Sequence, residues 1–240
     1  MGRIAMLCAG GWLWLALLLQ PARAGDPVAL QGADLLRLSG VAILSVDGRP
    51  LCTAVLIAPD QAVTAAHCVA NRDTGDQVSP AALTLTFRPG TDQASIARVA
   101  ALAVPPDIPS TAPVQSLADL TPDLALLILA SALGPDQAQP LSVEPWPDPI
   151  GAFVDIAGYE RDGPPGLWLR EGCMGVEAGS GVALVTCDVV AGLSGAPVLL
   201  QGRPEDAPRL VATVSSRGQG AAFVVAIAPH LPTLRAQVAR

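Results

Sequence analysis

The sequence predicts an all-β fold, a barrel or a sandwich, and three observations lead there. Short apolar runs rich in Val, Leu, Ile and Thr recur along the chain. Turn residues separate them at regular spacing, and no pattern of strands alternating with long helices is present. About six runs fall on each side of a Pro- and Gly-containing stretch at 131–140.

The first 24 residues stand apart from the fold. Arg3 gives a positive start, Ile4 to Leu19 is an apolar run, and Ala22-Arg23-Ala24 has the small-x-small form of a cleavage site. That layout is a secretory signal peptide. The run is 16 residues, shorter than the roughly 20 of a spanning helix, so cleavage is expected rather than anchoring. Cys8 leaves with the leader. The chain from Gly25 to Arg240 suits one large all-β unit or two domains of about 100 residues each.

The expected strands of the first half are 41–46, 51–57, 61–65, 82–87, 96–104 and 123–130. Asp47-Gly48 between two apolar runs is a two-residue hairpin signal. The segment 105–122 is polar, Pro-rich and long, a loop excursion before the strand that opens at Asp123. The second half offers 152–157, 167–175, 181–187, 196–200, 209–215 and 221–228. Beyond Pro229 the strand pattern is lost, and Leu231, Leu234 and Val238 fall on one face of a short helix.

Charge and cysteine usage narrow the function classes. All 14 basic residues are Arg; removing Arg3 and Arg23 with the leader leaves 12 against 21 acids, a balance of about −9. An acidic chain without basic clusters argues against nucleic acid or an anionic membrane surface as a partner. Cys52, Cys68, Cys173 and Cys187 remain, an even count that reads as disulfides in an exported chain; four cysteines allow three pairings. Their spacings of 16 and 14 residues suggest two local bridges, 52–68 and 173–187. A zinc site needs close cysteine pairs, and none exists. The two histidines, His67 and His230, lie too far apart to argue for a metal, and His230 reads as a surface residue near the start of the terminal helix. No metal and no cofactor is expected.

Three patches carry chemistry. They are Thr64-Ala65-Ala66-His67-Cys68, then Asp123-Leu124-Ala125-Leu126-Leu127, then Gly192-Leu193-Ser194-Gly195-Ala196-Pro197. The order is His, Asp 56 residues on, and Ser 71 residues further. A serine hydroxyl is a weak nucleophile until a neighbouring base takes its proton. Imidazole titrates near neutrality and suits that task. A buried carboxylate fixes its tautomer and stabilises the imidazolium. Glycines beside the serine let backbone N–H groups of Gly192 and Ser194 turn together toward a developing oxyanion. Each residue taken singly has a plain structural use: His67 in a core, Asp123 capping a turn, Ser194 in one. Their conjunction points to catalysis.

With these motifs the sequence resembles the chymotrypsin-fold serine peptidases, from about residue 38 to 228. Thr64 to Cys68 equals that family's histidine motif, Asp123 to Leu127 is similar to its aspartate motif, and Gly192 to Pro197 to its nucleophile motif. The resemblance implies two six-stranded antiparallel barrels with the site in the cleft between them, and a closing C-terminal helix. Residues 25–135 would form the barrel carrying His67 and Asp123, and 136–240 the barrel carrying Ser194. It also implies a polypeptide substrate, a triad of His67, Asp123 and Ser194, and an oxyanion hole from Gly192 and Ser194.

The departures are informative. Leu193 stands where the trypsin branch has an aspartate that pairs with a new N-terminus, and no Ile-Val-Gly-Gly start exists near Gly25 or Gly40. The chain therefore looks like the bacterial branch that includes glutamyl endopeptidases, where the oxyanion loop folds without that ion pair. Asp188, six residues before Ser194, is similar in position to the specificity carboxylate of trypsin, and Val214 to Gly218 resembles the family's pocket wall. That makes Asp188, Ser215 and Arg217 the pocket candidates, with Arg217 where glycine usually admits substrate. The expectation is an exported serine endopeptidase, periplasmic or secreted, monomeric and free of a membrane anchor after cleavage. The rival readings are a catalytically inactive pseudoprotease that binds or regulates, and a sandwich-type interaction module.

Overall fold

The computed structural model describes residues 26–71, 74, 76–105, 123–146, 148–179, 181–203 and 206–239. The expected leader at 1–24 and nearly all of the Pro-rich segment 105–122 lie outside them.

The described chain opens with β1 (Val28–Ala29) and a short helix α1 (Gly32–Arg37). Six strands follow: β2 (Val41–Val46), β3 (Arg49–Ala58), β4 (Gln61–Thr64), β5 (Leu83–Phe87), β6 (Ser95–Ala103) and β7 (Ala125–Leu129). They close antiparallel in the order β2-β3-β4-β7-β6-β5. Alternation drives this packing. In β5, Leu83, Leu85 and Phe87 are fully buried while Thr84 and Thr86 between them are half-exposed, the period of two that a pleated strand imposes. Asp47 (φ 49°) and Gly48 (φ 74°) turn β2 into β3, both left-handed, as a twist-matched two-residue hairpin demands.

The second set is β8 (Ser142–Val143), β9 (Phe153–Tyr159), β10 (Leu167–Gly179), β11 (Val182–Val185), β12 (Pro197–Leu200), β13 (Arg209–Arg217) and β14 (Ala222–Ala226). Here β10-β11-β14-β13-β12-β9 returns to β10 and closes a second barrel, with β1 added to β10 and β8 running parallel to β13. The fold is thus two closed six-stranded antiparallel barrels followed by one short helix, α2 (Leu231–Val238). Every expected strand is present within a few residues of its expected ends. Missed were β1, α1 and β8, and the extension of β10 to Gly179.

Each barrel has its own apolar filling, Leu44, Leu56, Phe87 and Leu127 in the first and Ile156, Val198 and Val211 in the second. A third cluster joins them: Val41, Val55, Leu124 and Leu126 meet Tyr159, Leu167, Leu210 and Ile227. Leu231 and Leu234 of α2 enter that same cluster, with Val238 packed at its margin. The barrels are therefore held by a shared core, which fixes the cleft that their loops form. Disulfides Cys52–Cys68 and Cys173–Cys187 staple one loop to each barrel.

Arg88 ties the connection between barrels to the first of them. It is 6% exposed. Its guanidinium donates to Gln93 Oε1 at 2.6 Å and to the carbonyls of Asp136 at 2.5 Å and Gln137 at 2.8 Å. Among the described residues no carboxylate pairs with it. Arg88→Met would leave those carbonyls without a donor, partly offset by removal of a buried cation. The expected loss is about 2 kcal/mol, read as a lower urea midpoint at unchanged slope.

Candidate active site

His67 sits on a 3₁₀ turn, Ala66–Cys68, that follows β4. The turn cannot drift, because Cys68 is bonded to Cys52 on β3. Asp123 lies just ahead of β7, two positions before its first residue. Its carboxylate receives three donors. The His67 backbone N–H reaches Oδ1 at 3.0 Å, His67 Nδ1 faces Oδ2 at 2.8 Å, and the Ser215 hydroxyl donates to Oδ2 at 2.5 Å. The Asp123 side chain is 3% exposed and that of His67 30%, so the acid is sequestered and the imidazole is open on one side. Burial alone would push the Asp123 carboxyl up; the hydrogen bonds and charge of His67, with the Ser215 hydroxyl, outweigh it and hold the group below the usual carboxylate range. An acceptor-only carboxylate at Oδ2 makes Nδ1 the protonated nitrogen and leaves Nε2 as the free base. Nε2 lies 3.7 Å from Cys68 Sγ.

Ser194 lies near the end of the loop between β11 and β12, in a turn tethered at several points. The Leu193 N–H donates to Val190 O at 3.2 Å and the Ala196 N–H to Leu193 O at 2.9 Å. The Gly195 N–H bonds Val214 O at 2.7 Å, one residue from Ser215 and its contact to Asp123. From the other barrel, the Thr53 N–H donates to Ser194 O at 2.9 Å, one residue from the Cys52 that anchors the His67 turn. Serine turn, imidazole turn and carboxylate are therefore pinned to the same two strands, β3 and β13. Among the described residues no hydrogen bond joins Ser194 Oγ to His67 Nε2.

Gly192 (φ 99°) and Gly195 (φ 78°) are positions where only glycine serves. A Cβ at Gly195 would stand 2.2 Å from Thr53 O and from Thr64 Oγ1. One at Gly192 would stand 2.5 Å from Arg161 N and Tyr159 O. The carbonyl of Ala191 accepts the Arg161 N–H at 2.8 Å, and that of Leu193 accepts Ala196. In a trans peptide the N–H points opposite to its C=O, so the N–H groups of Gly192 and Ser194 point away from those interior partners. Neither meets an acceptor among the described residues.

The remaining sequence candidates fall differently. Ser215 is buried with its hydroxyl committed to Asp123, so its side chain supports the acid. Asp188 is exposed; its carbonyl accepts Arg170 Nε at 2.9 Å, and the buried Arg170 pairs with Glu160 at 2.5 Å. Arg217 is exposed at the end of β13, opposite Ala222. Leu193 is fully buried in the second barrel's core, where its Cδ2 fills the space beside Gly158 that a side chain there would need. His230 is at the start of α2 as expected, but half-buried rather than on the surface, and burial lowers its pKa. Thr53, at the junction of all these tethers, was not singled out by the sequence. Cys52, Cys68 and His67 gather potential ligand atoms within 4.8 Å, yet both sulfurs are spent in a disulfide and offer no thiolate.

A family model described as a trypsin-like peptidase domain matches residues 52–203. A search of curated proteins found no match.

Proposed function

The chain belongs to the trypsin-like peptidase domain family, and from that premise we propose that it is an exported serine endopeptidase using His67, Asp123 and Ser194 as its triad. The observation that carries the reading is the double grip of Asp123 on His67, at Nδ1 and at the backbone N–H, inside a junction to which the Ser194 turn is tethered.

In the proposed reaction Ser194 Oγ attacks a peptide carbonyl while His67 Nε2 takes its proton. Asp123 keeps the ring in the required tautomer and stabilises the imidazolium. The N–H groups of Gly192 and Ser194 hold the tetrahedral oxygen. His67 then returns the proton to the leaving amine, and water hydrolyses the acyl-enzyme. Burial of Leu193 gives the turn an apolar anchor in place of an ion pair, which supports a branch resembling the glutamyl endopeptidases and a peptidase needing no N-terminal activation cleavage. The Ser215 backbone with Asp188 and Arg217 forms the rim of the substrate pocket in this reading. The enzyme acts as a periplasmic or secreted monomer, its two domains dividing near residue 135.

The unformed bond between Ser194 Oγ and His67 Nε2 favours a second reading, a pseudoprotease that binds without cleaving. A fluorophosphonate probe separates the two. Labelling of the wild type that disappears in Ser194→Ala and in His67→Ala supports hydrolysis. A folded protein that stays unlabelled leaves the pseudoprotease.

A further inference from the structure

We propose that Thr53 is the positioning residue that holds the oxyanion turn in its competent form, a latch supplied by the first barrel to the second. The inference rests on the peptidase reading given above.

Thr53 is completely buried. It grips the turn from below at two carbonyls: its hydroxyl donates to Gly192 O at 2.8 Å and its N–H to Ser194 O at 2.9 Å. The hydroxyl oxygen also accepts the Tyr159 N–H at 3.2 Å, so one side chain joins β3, the end of β9 and the oxyanion turn. Its own carbonyl accepts the Thr64 hydroxyl at 2.8 Å, three residues before His67. Donor and acceptor capacity are both used, which fixes the hydroxyl rotamer.

The need for such a latch lies at Gly192. A glycine in the left-handed region pays little to rotate. The Gly192 N–H lies on one side of that Cα and the 192–193 peptide, with the Gly192 carbonyl, on the other, so a turn of that peptide would carry the Ser194 N–H out of convergence with the Gly192 N–H. The hydroxyl bond holds that carbonyl inward, in a buried setting where a lost partner is costly. Leu193 anchors the same turn by side-chain packing in the core and holds the N–H edge of the 192–193 peptide through Val190 O at 3.2 Å, which leaves the carbonyl edge needing a hold of its own. Thr53 supplies that hold.

The test compares Thr53→Val, which keeps the shape and removes the hydroxyl, with Thr53→Ser, which keeps the hydroxyl. Thr53→Ala serves if the valine variant does not fold. Each is measured for kcat and KM on a peptide chosen from a cleavage library, for affinity toward a matching peptide boronate, and for melting temperature. Removal of the hydroxyl is expected to lower kcat about 10- to 100-fold, less than deletion of a direct oxyanion donor. KM stays within about 3-fold, because an interaction that matters only in the transition state leaves ground-state binding alone. Boronate affinity falls in parallel with kcat, and Thr53→Ser recovers most of the rate. Folded Thr53→Val or Thr53→Ala with wild-type kcat would overturn the latch, as would a serine variant no better than valine. Wild-type protein that neither cleaves nor takes the fluorophosphonate would instead bring down the peptidase reading, and the latch with it.

Discussion

Ser194→Ala is expected to reduce kcat/KM by about four to six orders of magnitude while leaving the fold intact. The separation of these effects follows from how the turn is built. Its tethers are backbone groups: the Thr53 N–H to Ser194 O, Gly195 N–H to Val214 O, and Ala196 N–H to Leu193 O. The Ser194 hydroxyl holds none of them, and the residue is only half-buried. Truncation therefore removes no hydrogen bond of the scaffold and leaves little cavity. What it removes, on the proposed mechanism, is the atom that would form the acyl-enzyme, and water held by the oxyanion turn is a far poorer substitute. His67→Ala should cost a comparable factor, and the double variant scarcely more, since base and nucleophile work as a unit. Steady-state kinetics beside calorimetric unfolding checks both halves of the statement. A Ser194→Ala protein with undiminished activity would mean that another nucleophile does the chemistry.

The barrels were legible in the sequence because their information is local. The alternation of Leu83, Thr84, Leu85, Thr86 and Phe87 can be read without knowing what lies opposite, and Asp47-Gly48 fixes a hairpin within two residues. Two-residue strands such as β1 and β8 carry no period. They exist only because β10 and β13 offer them an edge. The helix α1 is six residues, opens on Gly32 at φ 55° and buries no residue, so it has no apolar stripe to detect. The same distinction runs through the site. Histidine, aspartate and serine stood out because each sits in a short motif with its own glycines, cysteine or strand. The duties of Ser215 and Thr53 come from partners 92 and 139 residues away, and nothing in their neighbours announces them. Counting back from Ser194 found Asp188 by position, but position along a chain does not say which side of a loop faces water. That side is set by Arg170, which draws the Asp188 carbonyl inward and leaves the carboxylate outside.

Asp123→Asn should lower kcat/KM by about 10⁴-fold at neutral pH, with the ring and turn still in place. The carboxylate accepts at both oxygens, from the His67 N–H at Oδ1 and from Nδ1 and the Ser215 hydroxyl at Oδ2. An asparagine that keeps its oxygen toward the His67 N–H must turn its NH₂ toward Nδ1. Nδ1 then becomes the acceptor, the proton moves to Nε2, and the nitrogen that should take the Ser194 proton already carries one. The stability consequence has a definite sign. Because the Asp123 carboxyl is held below its ordinary value, its contribution to folding is complete above the unfolded value, about 3.9, and is lost as pH falls through the lower folded value. Wild type should therefore exceed the Asn variant in stability at pH 7, and the gap should narrow below about pH 4. Urea unfolding of both proteins at pH 7 and pH 3 measures it. A gap that stays constant would mean that Asp123 is protonated when folded or gains nothing from His67, and the tautomer argument would lose its physical basis.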